Sequence, residues 1–201
     1  MGMQLTFSNL FQFVSALSPL LIGFFLVMTS VFNQNIKGII YLGGVLIASA
    51  INLVLMNVVR SPNNPNRSPI CDLVELPFGV NAFNSPAISS LFIAFTIAYL
   101  VLPMHYNDTT NYGVLAALFG LFIMDAISKV SSKCTSTVGV LLGGLVGLVL
   151  GSGWFALFKS TGYGSMLFFD EVSSNNVICS KPSKQTFKCS VYKNGELIKQ
   201  L

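Results

Sequence analysis

Thr137-Val-Gly-Val-Leu-Leu-Gly-Gly-Leu-Val-Gly-Leu-Val-Leu-Gly-Ser-Gly-Trp-Phe-Ala-Leu-Phe158 runs without a single charged residue. An apolar helix of roughly 20 residues crosses a hydrocarbon core about 30 Å thick, so this stretch reads as a membrane span. Within it Gly139, Gly143, Gly147 and Gly151 recur at every fourth residue. At helical pitch these glycines form a flat stripe that lets another backbone approach closely. The expected partner is another span of the same chain.

Four more stretches share the pattern: Leu10–Phe32, Gly38–Val59, Ala87–Met104 and Tyr112–Ser128. Across all five there is one charge, Asp125. The 201 residues include 11 Lys+Arg and 7 Asp+Glu, or 9% charged, where an ordinary soluble domain carries about 25%. Hydrophobic residues make up 53%, and mean hydropathy is +0.71. This balance excludes a soluble single domain, and a disordered chain needs the opposite one. The runs are apolar on every face, unlike the alternating strands of a membrane barrel. Met1–Asn9 has no Lys or Arg, against the basic start of a signal peptide. The predicted fold is all-α integral membrane: a five-helix transmembrane bundle over 1–158, then a small polar tail over 159–201.

The connecting segments differ in kind. Asn33–Lys37 and His105–Asn111 are short. Arg60–Pro86 is longer and holds Pro62, Pro65, Pro69, Pro77 and Pro86. Each proline fixes φ and lacks an N–H, which predicts an irregular but stiff loop. Lys129–Ser136 joins the last two spans. Counting crossings puts the N-terminus and these last two loops on one side, A. The short links and the tail fall on the other, B. Side A carries Arg60, Arg67, Lys129 and Lys133; side B carries Lys37 and six tail lysines. The positive-inside count changes sign with how much of the tail is included. The sequons Asn66-Arg67-Ser68 on A and Asn107-Asp108-Thr109 on B oppose one another, so orientation stays open.

In the tail, Lys193-Asn194-Gly195-Glu196 between Val191-Tyr192 and Leu197-Ile198 reads as a β-hairpin with Asn-Gly at a type I′ turn. Cys179 and Cys189 either pair across a second hairpin or remain two thiols. Cys71 and Cys134 sit in the two side-A loops. His105 is the only histidine; it reads as interfacial, and no metal site or cofactor is expected. Asp125, with Lys129 at i+4, reads as a local ion pair. Trp154, Tyr163, Phe168 and Phe169 read as an interfacial aromatic belt.

Three side-A motifs then stand in order: Arg60-Ser-Pro-Asn-Asn-Pro-Asn-Arg67-Ser68-Pro69, Ser85-Pro86-Ala87-Ile88-Ser89-Ser90, and Ser128-Lys129 ten residues before Gly139. In order, spacing and sidedness they resemble the type 2 phosphatidic acid phosphatase superfamily, integral membrane lipid-phosphate phosphatases that include dolichyl-diphosphatases. Its motifs are Lys-x6-Arg-Pro, Pro-Ser-x-His-(Ser/Thr) and Ser-Arg-x5-His-x3-Asp. The resemblance covers roughly Gly38–Gly151, and no motif is intact. Arg60 stands for the family's Lys, Arg67 matches its Arg, and Ser68 replaces its Pro. Pro86 and Ser90 match the ends of the second motif, with Ser89 where the family has its histidine acid. Ser128 matches, Lys129 replaces Arg, Thr135 falls at the nucleophilic histidine, and Gly139 falls at the orienting Asp.

The resemblance implies a phosphatase-like bundle without its chemistry. The family works through a phosphohistidine, with a carboxylate behind it and a second histidine as acid, and all three are replaced here. The chain is therefore expected to be no enzyme by that mechanism. Arg60, Arg67, Lys129 and Lys133 remain as candidates to grip phosphate oxygens of a lipid headgroup, against the plainer reading of cations snorkelling to anionic lipid. The leading expectation is a structural membrane protein, with the tail and loops binding other proteins and no nucleic acid. Its short multi-pass body, Asn-rich loops and decayed core look like membrane proteins of large double-stranded DNA viruses, which line an internal virion membrane and link it to a capsid shell. That resemblance implies a virion internal membrane or a host endoplasmic reticulum-derived one.

Overall fold

The computed structural model describes residues 7–72, 83–169, 190–193 and 196–200. Five helices carry the chain back and forth: α1 (Phe7–Phe32), α2 (Lys37–Val59), α3 (Ile88–Tyr106), α4 (Tyr112–Ser131) and α5 (Thr137–Ser160). All five are long and apolar enough to cross a bilayer, with mean hydropathy from 1.8 to 2.3. The protein is an integral, multi-pass membrane protein. Helix starts follow local capping chemistry. Asn111 Oδ1 accepts the Gly113 and Val114 N–H groups at 3.0 and 3.2 Å, and Ser136 Oγ accepts that of Gly139 at 3.0 Å. Both satisfy first-turn donors that have no partner inside the helix.

α3 is the axle of the bundle. Of its apolar window 67% is buried, against 17% for α4. Tyr41, Leu91, Phe95 and Tyr99 are at most 1% exposed and form the centre. Tyr41 and Tyr99 lie 5.4 Å apart, and Phe95 stacks on Tyr99 at 6.2 Å. Thr96 Oγ1 donates to the Phe92 carbonyl, so the Tyr41 hydroxyl, 2.7 Å away, donates to Thr96. A polar pair inside the bilayer is thereby satisfied. The outer faces of α1 and α2 expose Leu21, Phe24, Phe25, Leu46 and Val58, which meet acyl chains.

The glycine stripe of α5 packs on α3 of the same chain. A Cβ at Gly143 would strike the Ala87 carbonyl, one at Gly147 the Leu91 carbonyl, and one at Gly151 would come within 2.6 Å of the Phe95 carbonyl. Each step of four along α5 is matched by a step of four along α3, so the two helices run parallel in fixed register. At the seam's upper end the Ala87 N–H donates to the Gly139 carbonyl at 2.9 Å.

Two sequence expectations change. Trp154 does not sit in an interfacial belt: its Nε1 would lie 2.7 Å from a Cβ at Gly44, against α2. Phe168 packs edge-on to Tyr99 at 6.3 Å. Tyr163 stays 55% exposed. In the tail, β1 (Ser190–Lys193) and β2 (Glu196–Gln200) pair antiparallel with Lys193 opposite Glu196. The Asn194-Gly195 turn, Cys179 and Cys189 lie outside the described residues.

Candidate functional site

The side-A ends of α3, α4 and α5 meet the Arg60–Pro86 loop around a cleft of about 90 Å³. The loop is closed at its stem by Asn84. The Asn84 N–H donates to the Ser61 carbonyl at 3.1 Å and its Nδ2 to the Pro62 carbonyl at 3.0 Å. Further along, Asn64 Oδ1 accepts the Asn66 N–H at 3.0 Å, and the Arg67 N–H donates to the Asn64 carbonyl at 3.2 Å. These bonds make a tight Asn-Pro-Asn turn that presents Arg67 to the cleft.

Lys129, in the last turn of α4, lines the same cleft. So do Ser89 in the first turn of α3 and Thr135 in the α4–α5 junction. No side chain caps α3 at Ala87. Its first-turn N–H groups therefore lack an intrahelical partner, and Ile88 and Ser89 of that turn line the cleft.

Of the four cations singled out by sequence, two line the cleft and two do not. Arg60 is the C-cap of α2 at φ 48°, and its Nε donates to the Asn57 carbonyl of its own last turn at 3.0 Å. Lys133 sits in the α4–α5 turn at φ 56° and is exposed. Left-handed backbone at both residues turns them out of the cleft wall.

The three degenerate catalytic positions do converge. Ser89 and Thr135 share the cleft, and a Cβ at Gly139 would collide with the Thr135 hydroxyl and lie 3.2 Å from Ser85 Oγ. Their protons are already committed. Ser89 Oγ donates to Asp125 Oδ2 at 2.9 Å, with Ser90 Oγ on the same oxygen at 3.3 Å. Thr135 Oγ1 donates to the Asn84 carbonyl at 2.6 Å, which is no general base.

Asp125 is 0% exposed, and Lys129 is the leading charge that favours its carboxylate. Its hydrogen bonds come from α3 serines, while Lys129, within electrostatic reach, faces the cleft. The carboxylate thus joins α4 to α3 beneath the site.

Sequence reading missed one feature altogether. Cys71 and Cys134 form a disulfide and both line the cleft. One cysteine in each of two loops on the same side was the available signal. Among the described residues no cluster of His, Cys, Asp and Glu is able to hold a metal ion. No protein-family model, curated protein or solved structure matches the chain.

Proposed function

We propose that this protein is a multi-pass membrane anchor that grips a phosphorylated lipid headgroup in the side-A cleft and does not hydrolyse it by the phosphohistidine route. The observation that carries this reading is that Arg67 and Lys129 line one cleft together with Ile88 and Ser89 of the first turn of α3. Cations beside a helix N-terminus form an anion site. At about 90 Å³ the cleft is small, on the scale of a headgroup fragment. Sites for whole drug-sized ligands run to about 300–1,000 Å³.

Thermal stability in detergent tests the reading. Short-chain phosphatidic acid should raise the Tm of the parent protein and leave Arg67→Ala unmoved. An equal shift in both would reject the cleft as the site. The finer version, an anchor linking a virion's internal membrane to a capsid shell through the side-B tail, is tested by fractionating particles; absence of the protein from them ends that version.

A second reading has one observation in its favour. A serine hydroxyl donating to a buried carboxylate at 2.9 Å is also how a nucleophile sits on its base. Phosphate release that Ser89→Ala abolishes would favour turnover over simple binding.

A further inference from the structure

We propose that the Cys71–Cys134 cystine is a redox clasp on this cleft: closed, it holds the Arg67 loop against the Lys129 junction, and opened by a dithiol it lets that loop move away and releases the anion. The inference rests on the reading of the cleft as an anion site and adds its regulation.

Arg67 and Lys129 belong to segments that α3 and most of α4 separate in the chain. The cystine spans a sequence separation of 63 and joins those two segments. Cys71 follows Arg67 within the same short segment, and Cys134 follows Lys129 by little more than a helical turn. Both cysteines line the cleft itself, so the covalent tie is part of its wall. Beside it the Ser68 N–H donates to the Ser132 carbonyl at 3.1 Å, a weak net tie, and the turn Pro69–Asp72 packs on α1.

The rest of the loop is fastened elsewhere. Asn84 holds the stem to Ser61 and Pro62, and its carbonyl accepts the Thr135 hydroxyl. The α3–α5 seam has no need of the cystine. Opening the bond removes the covalent tie between the tip that carries Arg67 and the junction that carries Lys129, and spares the bundle. A loop that must be ordered by its ligand binds more weakly than one held in place beforehand.

The chemistry balances with a dithiol as reductant. Two electrons and two protons pass to the cystine, the S–S bond breaks, two S–H groups form, and the dithiol closes to its own cyclic disulfide. Cystines persist in oxidising compartments and are reduced in the cytosol. The clasp is closed where side A faces a lumen or the exterior, and the lysine-rich tail then faces the reducing side.

The test uses the full chain in nanodiscs, in a Cys179→Ser/Cys189→Ser background. Dioctanoyl phosphatidic acid and inorganic phosphate are titrated separately onto oxidised, dithiothreitol-reduced and reoxidised protein. Reduction should weaken binding about tenfold or more, and reoxidation should restore it. Cys71→Ser/Cys134→Ser should stay weak whatever the redox state. Hydrogen exchange should rise over residues 63–72 and not along the α3–α5 seam. Tighter binding of the lipid than of phosphate identifies a headgroup site; equal binding identifies a phosphate site. Unchanged affinity after maleimide labelling verifies both thiols overturns the clasp and leaves the anion site standing. Loss of helicity on reduction overturns it too, since the cystine would then be a staple of the fold. If oxidised protein binds neither probe, the anion site falls and the clasp falls with it.

Discussion

The α3–α5 seam and the cleft above it grow from the same two helix ends, yet they are held together by opposite means. The seam works by leaving atoms out. Gly143, Gly147 and Gly151 bring α5 onto the carbonyls of Ala87, Leu91 and Phe95. In lipid, where apolar surface is no driving force, such close backbone packing is what joins helices. The cleft works by adding groups from distant segments: two cations, serines bonded to a buried carboxylate, and a cystine. One region is periodic and local, the other is assembled across the chain. The stable seam fixes where the cleft sits, while the cleft's groups decide what it holds.

Substitutions can separate the two. The largest effect is expected at the seam: Gly147→Val puts two methyl groups and a Cβ against the Leu91 carbonyl and should cost about 3 kcal/mol, read as a fall in the denaturation midpoint with loss of the cleft as well. Asp125→Ala lies between the regions. It strands the Ser89 and Ser90 hydroxyls and should cost about 2 kcal/mol, measured in the same assay, whereas Asp125→Asn should recover part of that.

Smaller effects calibrate the comparison. Gly153 lies on α5 but off the stripe, with nothing within 4 Å of a Cβ placed there. Gly153→Ala should stabilise by about 0.5 kcal/mol through helix propensity, and destabilisation comparable to Gly147→Val would break the claim that only the stripe carries the seam. Smallest of all, Arg60→Ala and Lys133→Ala should leave anion binding within about twofold, because screened surface charges contribute little; a titration showing a tenfold loss would bring them into the site.

The seam was legible from the sequence because its signal is a period. Uncharged runs give the spans, and glycine at every fourth position gives the contact face. The cleft was legible only in part. The order of the three motifs pointed to one side of the membrane, and Arg67, Lys129, Ser89 and Thr135 do line one cleft. Arg60 and Lys133 left the group because each takes a left-handed backbone at a helix end, a conformation that residue type rarely announces. Asp125 keeps Lys129 as a charge partner, but its bonds from Ser89 and Ser90 were hidden, since helical spacing reports neighbours on one helix and not those across a bundle. The Cys71–Cys134 bond was hidden for the same reason: pairing depends on where loops meet in space.

The central claim is that Arg67 and Lys129 together hold a phosphorylated headgroup. ³¹P NMR of phosphatidic acid titrated onto the protein in nanodiscs tests it most directly. The account predicts a saturable shift or broadening of the phosphate resonance with the parent protein, and its loss in Arg67→Ala/Lys129→Ala at unchanged Tm. An unperturbed resonance with the parent, or the same perturbation with the double variant, would contradict it.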